Sequence, residues 1–256
     1  MTALVARTRI ATVRLVSTDR GGPAGSGRLG ERTWPELDGP APRTVLVPVG
    51  SLEQHGPHLP LDTDTRIAAA VARRAAADNP AVLLAPPLAY GASGEHEGFP
   101  GTLSIGHDAL GAVLVELGRS AATWASRLVF VNGHGGNLPT VPSAVAVLRH
   151  EGRQVAWFGC AVPGGDAHAG RTETSILLEL DPAVVRTAAA RAGNTAPLRE
   201  LMPALRRGGV TAVSSNGVLG DPAGASADEG RALLDRMADS LRAALARWDP
   251  GPDGHL

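Results

Sequence analysis

Short apolar runs rich in β-branched residues alternate along the chain with longer segments whose apolar positions recur at helical spacing. The apolar runs lie at 44–49, 81–86, 127–132 and 154–159, and the helical segments between them lie at 65–78, 108–125 and 142–152. Runs that are apolar at every position indicate strands buried on both faces, and their alternation with helices is typical of a parallel sheet. The pattern predicts an α/β fold with a mostly parallel sheet and helices on both faces.

Two further segments set the limits of this core. Residues 226–248 begin with the letters SADE, which are typical of a capping box, and continue as an amphipathic helix. Residues 1–28 include a glycine-rich stretch with too little apolar surface to order itself. A chain of 256 residues is an ordinary size for one α/β domain. We therefore predict a flexible leader over residues 1–28 and a single domain over residues 29–256.

The charge and composition exclude several classes of partner. The formal net charge is −1, and the 24 basic side chains are spread along the chain rather than clustered in a stripe. Aromatic residues make up 3% of the chain, too few for a platform on which bases stack. Neither a nucleic acid nor a membrane surface is a predicted partner.

Cysteine usage and hydropathy indicate the compartment. Cys160 is the single cysteine, which excludes an internal disulfide framework and a cysteine-based zinc cluster. Every long apolar stretch is broken by Arg, Asp, Gly or Pro well before the roughly 18 residues that a membrane span needs. We expect a cytoplasmic protein that is neither exported nor membrane-spanning.

Candidate chemistry begins directly after the first predicted strand, in the stretch SLEQHGPHLPLDTDT at 51–65. Glu53 and His55 stand two residues apart, so in an extended backbone they face the same way, and Asp64 returns after two proline-containing turns. Zn, Mn and Fe(II) accept such a mixture of oxygen and nitrogen ligands. A Glu-x-His pair on its own is also common in solvated loops.

Two more predicted strands end at histidines. His134 lies in VNGHGGN after the third strand, and His168 and Glu173 lie in GGDAHAGRTETS after the fourth. A phosphate-binding loop is the alternative for the glycines around His134, but neither G-x-G-x-x-G nor G-x-x-x-x-G-K-[ST] occurs. Because the carboxyl ends of parallel strands meet at one edge of a sheet, three such strand ends together predict a metal site there.

The remaining histidines and acidic residues stay open at this level. The segment after the second strand, GASGEHEGFPGTLSIG, adds Glu95, His96 and Glu97, and fits either a polar loop or a wall of the substrate pocket. Four other histidines have no partner within sequence reach and are interpreted as surface or core residues: His58, His107, His150 and His255.

Four motifs taken together resemble the creatininase family of metal-dependent amidohydrolases. They are GSLEQHGPHLPLDTDT, SGEHEGFPGT, VNGHGGN and HAGRTETS, in this order and preceded by TWPEL at 33–37. The segment SSNGVLGDPAGAS at 214–226 extends the resemblance to one branch of the family. Members of that branch release a modified C-terminal Val-Tyr unit from a ribosomally made precursor peptide during redox cofactor biosynthesis.

The resemblance implies a centre of two divalent metal ions, Zn, Fe(II) or Mn. Glu53, Asp64 and His134 would surround one ion. His55, Asp64 and Glu173 would surround the other, so that Asp64 bridges. His168 would transfer a proton or orient the substrate. Relatives of this family are generally homo-oligomers, and we expect one here.

Two positions depart from creatininase itself. Creatininase carries Glu two residues after the histidine of its N-G-H motif, where this chain has Gly136. It also carries Trp four residues before the later histidine, where this chain has Gly164. Creatinine is therefore not the predicted substrate, and Glu173 is the predicted carboxylate of the second ion.

The predicted activity is metal-dependent hydrolysis of a peptide or amide C–N bond, with the modified precursor peptide as substrate. One alternative is a small-molecule amidohydrolase that acts on a formamide or a cyclic amide with the same metals. The other is a non-catalytic protein that keeps the ligands for stability. Turnover on a modified peptide or on a formamide panel separates the three.

Overall fold

The computed structural model describes residues 27–138 and 140–256, and its centre is a parallel four-stranded sheet. The strands are β1 (Thr44–Val49), β2 (Val82–Leu84), β3 (Arg127–Asn132) and β4 (Val155–Gly159), in the order β2-β1-β3-β4. Every neighbouring pair is parallel, with Val45 opposite Leu83 and Leu128, and Phe130 opposite Trp157. The predicted α/β fold with a parallel sheet is confirmed.

Helices cover both faces of this sheet. Within the described residues they are α1 (Trp34–Leu37), α2 (Thr63–Ala76), α3 (Gly106–Ala121), α4 (Thr140–His150), α5 (Arg171–Leu180), α6 (Leu198–Gly208) and α7 (Ala227–Arg247). Helices α2, α5 and α7 bury one face of the sheet in a core that includes Leu46 and Val129. Helices α3 and α4 bury the other face around Val47 and Phe130. Adjacent strand residues thus enter opposite cores, as the pleat requires.

Both ends of the domain are tied to the sheet. The Leu84 N–H donates to the Gly27 carbonyl over 2.6 Å, so the described chain begins beside β2. At the other end, the Trp157 N–H donates to the Gly254 carbonyl and the Leu256 N–H donates to the Trp157 carbonyl, which covers the edge of β4. The leader predicted over 1–28 lies outside the described residues except for Gly27 and Arg28, and its boundary stays a prediction.

Helix α7 begins at the predicted place, but by a simpler cap. The Ser226 hydroxyl accepts from the Glu229 N–H over 3.2 Å. The Glu229 carboxylate turns instead to Arg171, whose Nε donates to it over 2.8 Å. Only half of the predicted capping box forms, because the carboxylate is used to hold α5 against α7. Among the described helices, none is both long and apolar enough to cross a membrane.

Candidate metal centre

The loops that follow the strands meet at the carboxyl edge of the sheet. Glu53 and His55 lie in the loop after β1, and Asp64 is in the first turn of α2. His134 follows β3, and Glu173 lies in the first turn of α5 after β4. One ligand atom of each of Glu53, Asp64 and His134 lies within 4.8 Å of the others, and the same holds for His55, Asp64 and Glu173. The structure therefore brings together both sets of side chains.

Two glycines allow the loops to approach the start of α2. A Cβ on Gly50 would lie 2.5 Å from the Cα of Thr65, and a Cβ on Gly133 would lie 2.4 Å from the Asp64 carbonyl oxygen. Any side chain at either position would push Asp64 away from the sheet. The loops after β1 and β3 therefore need glycine where they pass this helix.

Asn137 fixes three of the loops to one another. Its amide nitrogen donates to the Gly50 carbonyl and to Asn132 Oδ1, each over 3.0 Å. Its amide oxygen accepts from the Ala92 N–H over 3.0 Å. Gly50 and Ala92 belong to the loops after β1 and β2, and Asn137 itself belongs to the loop after β3. A single buried amide therefore sets the relative positions of the ligand-bearing segments. No motif in the sequence identifies the role of Asn137, because a side chain that bonds mainly to backbone leaves no spacing signal.

Glu53 is a buried carboxylate without a hydrogen-bond donor. Its side chain is 0% exposed, and neither carboxylate oxygen has a hydrogen-bond partner. His134 Nε2 lies 3.0 Å from Oε2 and His96 Nε2 lies 3.2 Å from Oε1, but neither contact has the alignment of a hydrogen bond. Buried carboxylates in proteins are paired, hydrogen-bonded or bound to a metal. The state of Glu53 therefore fits a cation between the carboxylate and His134.

Asp64 faces both histidines at once. Oδ1 lies 3.1 Å from His55 Nε2, and Oδ2 lies 3.0 Å from His134 Nδ1. The Ser51 hydroxyl donates to Oδ2 over 2.7 Å and holds the carboxylate in this orientation. Each carboxylate oxygen thus faces the histidine of a different ligand set, which is the geometry that a bridging ligand requires.

His55 is held with one nitrogen toward the cluster. The backbone carbonyl of Glu53 accepts from Nδ1 over 3.1 Å, so Nδ1 carries a hydrogen and Nε2 points to Asp64. Metal-binding histidines usually donate their second N–H to a carbonyl or carboxylate in this way. Glu173 Oε2 lies 3.9 Å from His55 Nε2 and accepts from the Ala169 N–H over 2.6 Å, which keeps that carboxylate turned inward.

His168 faces the same cluster through a network centred on Gln54. The Gln54 side-chain amide nitrogen donates to the Gly217 carbonyl over 3.0 Å and lies 2.9 Å from His96 Nδ1. These two contacts use both hydrogens of the Gln54 amide. His168 Nε2 lies 2.8 Å from the Gln54 backbone carbonyl, so this nitrogen carries the hydrogen and donates it. The lone pair of His168 is therefore on Nδ1, 3.8 Å from Glu53 Oε1.

The histidines left open by the sequence divide between the site, the core and the surface. His96 is buried against Glu53, so the loop after β2 contributes to the site wall. His58 is a core histidine whose Nε2 donates to the Thr174 hydroxyl over 2.9 Å. His150 is exposed at the end of α4, and His255 packs against Trp157 at the edge of β4.

The charges in the cluster are balanced by protons on imidazole. Burial raises the pKa of Glu53 to about 7. Burial opposes a charge on His55, but the adjacent Asp64 carboxylate outweighs it and raises the pKa of His55 to about 10. Burial also opposes ionisation of Asp64, yet His55 and His134 hold the pKa of Asp64 well below its usual range. A proton on His55 therefore lies where a metal ion would bind between the two side chains.

The donor set suits a hard or borderline divalent ion. The two ligand sets that share Asp64 contain carboxylate oxygens and imidazole nitrogens and no sulfur. This mixture matches Zn, Mn and Fe(II). The orphaned oxygens of Glu53 and the two-sided environment of Asp64 fit such ions. The residues present therefore fit the metal chemistry that the motifs predict.

Comparison with known proteins gives the class of this site and then the family. The family model described as creatinine amidohydrolase matches residues 30–245. Among solved structures, a creatininase crystal structure aligns with a TM-score of 0.73 and 26% identity over 89% of this chain and 100% of that one. A mutant creatininase described as Zn-Zn type aligns with a TM-score of 0.72, also at 26% identity, over 89% of this chain and 100% of that one. The fold and site define a metal-dependent hydrolase of C–N bonds.

The chain belongs to the creatininase family. A relative from Mycobacterium ulcerans is 58% identical over 238 residues, which cover 90% of this chain and 95% of the relative. That relative is named mycofactocin precursor peptide peptidase. The similarity therefore extends over nearly the whole length of both proteins.

We predict that metal binding releases protons from this cluster. With a pKa of about 10, His55 is protonated at pH 7 in the metal-free protein and must lose that proton to bind an ion. Metal affinity should therefore fall as the pH is lowered and rise as it increases. Calorimetric titration of the metal-free protein with zinc at pH 7, in two buffers of different protonation enthalpy, measures the release. Heats that do not depend on the buffer would contradict the prediction, and His150→Gln, in the exposed helix end, serves as the unaffected control.

Proposed function

We propose that this protein cleaves a modified mycofactocin precursor peptide and releases its C-terminal Val-Tyr-derived unit during redox cofactor biosynthesis. The observation that carries the proposal is the buried cluster in which Asp64 faces two imidazoles, on a chain 58% identical to a named precursor peptide peptidase. The cluster supports hydrolysis, and the relative supports the substrate. We also propose that the domain covers residues 29–256 and that residues 1–28 form a flexible leader.

The proposed metal centre has two divalent ions. Glu53, Asp64 and His134 would hold one, and His55, Asp64 and Glu173 would hold the other. Two such ions when bound polarise the amide carbonyl and lower the pKa of a water molecule toward about 7. Zn, Fe(II) and Mn all suit these ligands.

Gly164 stands where creatininase carries a tryptophan. The residue has a φ of +76°, and a Cβ placed on it would have no atom within 4 Å. The missing tryptophan argues against creatinine, and the 58% identical relative named as a peptidase favours a peptide over the alternative substrates, a formamide or a cyclic amide.

His168 is proposed as the residue that orients the substrate. Its Nε2–H is already donated to the Gln54 carbonyl, and burial together with the nearby His55 holds the pKa of His168 well below its usual value. The ring is therefore neutral at pH 7 and presents an acceptor, Nδ1, to the cluster. Of the two roles implied by the family resemblance, orientation of a substrate N–H fits this geometry better than donation of a proton.

A homo-oligomer in the cytoplasm is the proposed setting of this activity. Helices α3 and α4 expose Val113, Leu117 and Val147, which are 36%, 41% and 44% accessible. Exposed apolar side chains on neighbouring helices are typical of an interface between subunits. The single cysteine agrees with a reducing compartment.

We expect Asp64→Asn to lose more metal than a change at any other ligand. The amide removes the negative charge that faces both ions, whereas each other ligand touches only one. Metal content by mass spectrometry should fall from two equivalents toward none, and turnover should fall with it. Asp62→Asn is the matched control, because Asp62 pairs with Arg66 outside the cluster. Full occupancy by two metals in Asp64→Asn would refute the bridging role.

We expect His168→Ala to keep both metals and lose turnover. Loss of a positioning group near the reacting atoms costs about 10²-fold in rate. The measurements are metal content and kcat/KM on the peptide, with His150→Ala as the control on an exposed histidine. If the variant loses one metal equivalent, His168 is a ligand and the assignment of Glu173 to that ion is wrong.

The proposed substrate is tested by incubating the metal-loaded protein with the modified precursor peptide, the unmodified peptide and a panel of formamides. The expected result is release of the C-terminal dipeptide-derived unit from the modified peptide, detected by mass spectrometry. Cleavage of formamides alone would establish the small-molecule alternative. Metal binding without turnover of any substrate would establish the non-catalytic one.

A further inference from the structure

Glu95 is a carboxylate that reaches the cluster from the loop after β2. It lies in the short turn Gly94–His96, and its Oε1 is 3.4 Å from His134 Nε2 and 3.9 Å from His96 Nε2. Its side chain is 32% exposed, whereas those of Glu53 and Asp64 are 0% and 3% exposed. Glu95 therefore contacts a predicted ligand of the centre and is also accessible from outside.

Gly136 leaves the space that this carboxylate occupies. A Cβ on Gly136 would lie 2.2 Å from Glu95 Oε1, 2.3 Å from His134 Nε2 and 2.7 Å from the Ala92 carbonyl oxygen. These distances exclude a side chain at residue 136 while Glu95 and His134 keep their positions. Creatininase carries its own glutamate at the position of Gly136. In this chain a carboxylate occupies the same region but comes from a different loop.

The backbone of Glu95 is fixed by the segment after α6. A Cβ on Gly209 would lie 2.5 Å from the Glu95 carbonyl oxygen, so the two backbones are in direct contact. The His96 N–H donates to the Ser93 carbonyl over 2.9 Å and closes the turn that carries Glu95. The carboxylate is therefore placed by packing on both sides of its residue.

We propose that Glu95 is a catalytic carboxylate that accepts the proton of the attacking water. The proposal rests on the hydrolytic function proposed above. The water oxygen bonds to the carbonyl carbon, the proton passes to Glu95, and the C–N bond breaks. The same proton then moves from Glu95 to the leaving nitrogen, so the carboxylate is regenerated. This role needs a carboxylate that touches both the cluster and the substrate, and the buried Glu53 and Asp64 lack that access.

The test compares Glu95→Gln with Glu97→Gln in the metal-loaded full-length protein. Glutamine keeps the shape of Glu95 but accepts no proton, so kcat should fall by about 10²- to 10⁴-fold while KM stays near the wild-type value. Metal content and zinc affinity should stay at wild-type values, because Glu95 lies outside both ligand sets. Glu97 is an exposed glutamate in the same loop, and its variant should match the wild type.

Two outcomes for Glu95→Gln would overturn the proposal. Wild-type kcat would show that the carboxylate takes no part in the reaction, and loss of a metal equivalent would show that Glu95 is a ligand. If the wild-type protein hydrolyses a formamide but not the peptide, the substrate proposal fails and the same variants are compared on the formamide. If the wild type hydrolyses neither substrate, both proposals are wrong.

Discussion

The structure depends on the interaction between the buried carboxylates and the positive charges that offset them. Glu53 and Asp64 lie at the edge of the sheet with side chains 0% and 3% exposed. An unpaired buried carboxylate lowers the free energy of unfolding by several kcal/mol, so removing the positive partner of a buried carboxylate destabilises the fold. In the metal-free chain, protonated His55 and His134 supply the positive charge, since both pKa values lie above the usual range. Metal ions in the same positions would replace those protons, so folding and function depend on one charge balance.

The fold makes this arrangement possible because four parallel strands end at one edge. Glycines at 50 and 133 let two loops touch the start of α2, and Asn137 joins the loops after β1, β2 and β3. Hydrogen bonds behind the ligands then set their orientation, since His55 Nδ1–H donates to the Glu53 carbonyl and the Ser51 hydroxyl donates to Asp64. Hydrogen bonds therefore hold the charged side chains of the site in place. Glu95, whose side chain is 32% exposed, lies on the more open side of the cluster.

Much of the fold could be predicted from the apolar pattern. Strands β1 and β3 have the predicted bounds, because a glycine, Gly50 or Gly133, follows each apolar run. β2 was predicted over 81–86 but spans only Val82–Leu84, since the prolines at 86 and 87 have no N–H for a further ladder bond. Helices α2, α3 and α4 each begin two residues before the predicted start. Apolar spacing locates a helix well, but it does not reveal the polar first turn, which in α2 contains Asp64.

The site could be predicted only where motif and topology agreed. The candidate ligands lie in segments that follow strands, so the shared edge of the sheet implied that they lie close together. They are Glu53, His55, Asp64, His134 and Glu173. Gln54, His96 and Asn137 act through contacts between loops distant in sequence, which no local spacing encodes. The Glu95 carboxylate occupies space that a side chain at Gly136 would fill. This contact joins two different loops, so it is visible only in the three-dimensional structure.

The most direct measurement is a crystal structure of the metal-loaded protein, with anomalous scattering data collected on both sides of the absorption edge of the bound metal. We expect two ions, one on each side of Asp64, with Oδ1 on the ion bound to His55 and Oδ2 on the ion bound to His134. A single ion, or two ions that Asp64 does not bridge, would contradict this expectation.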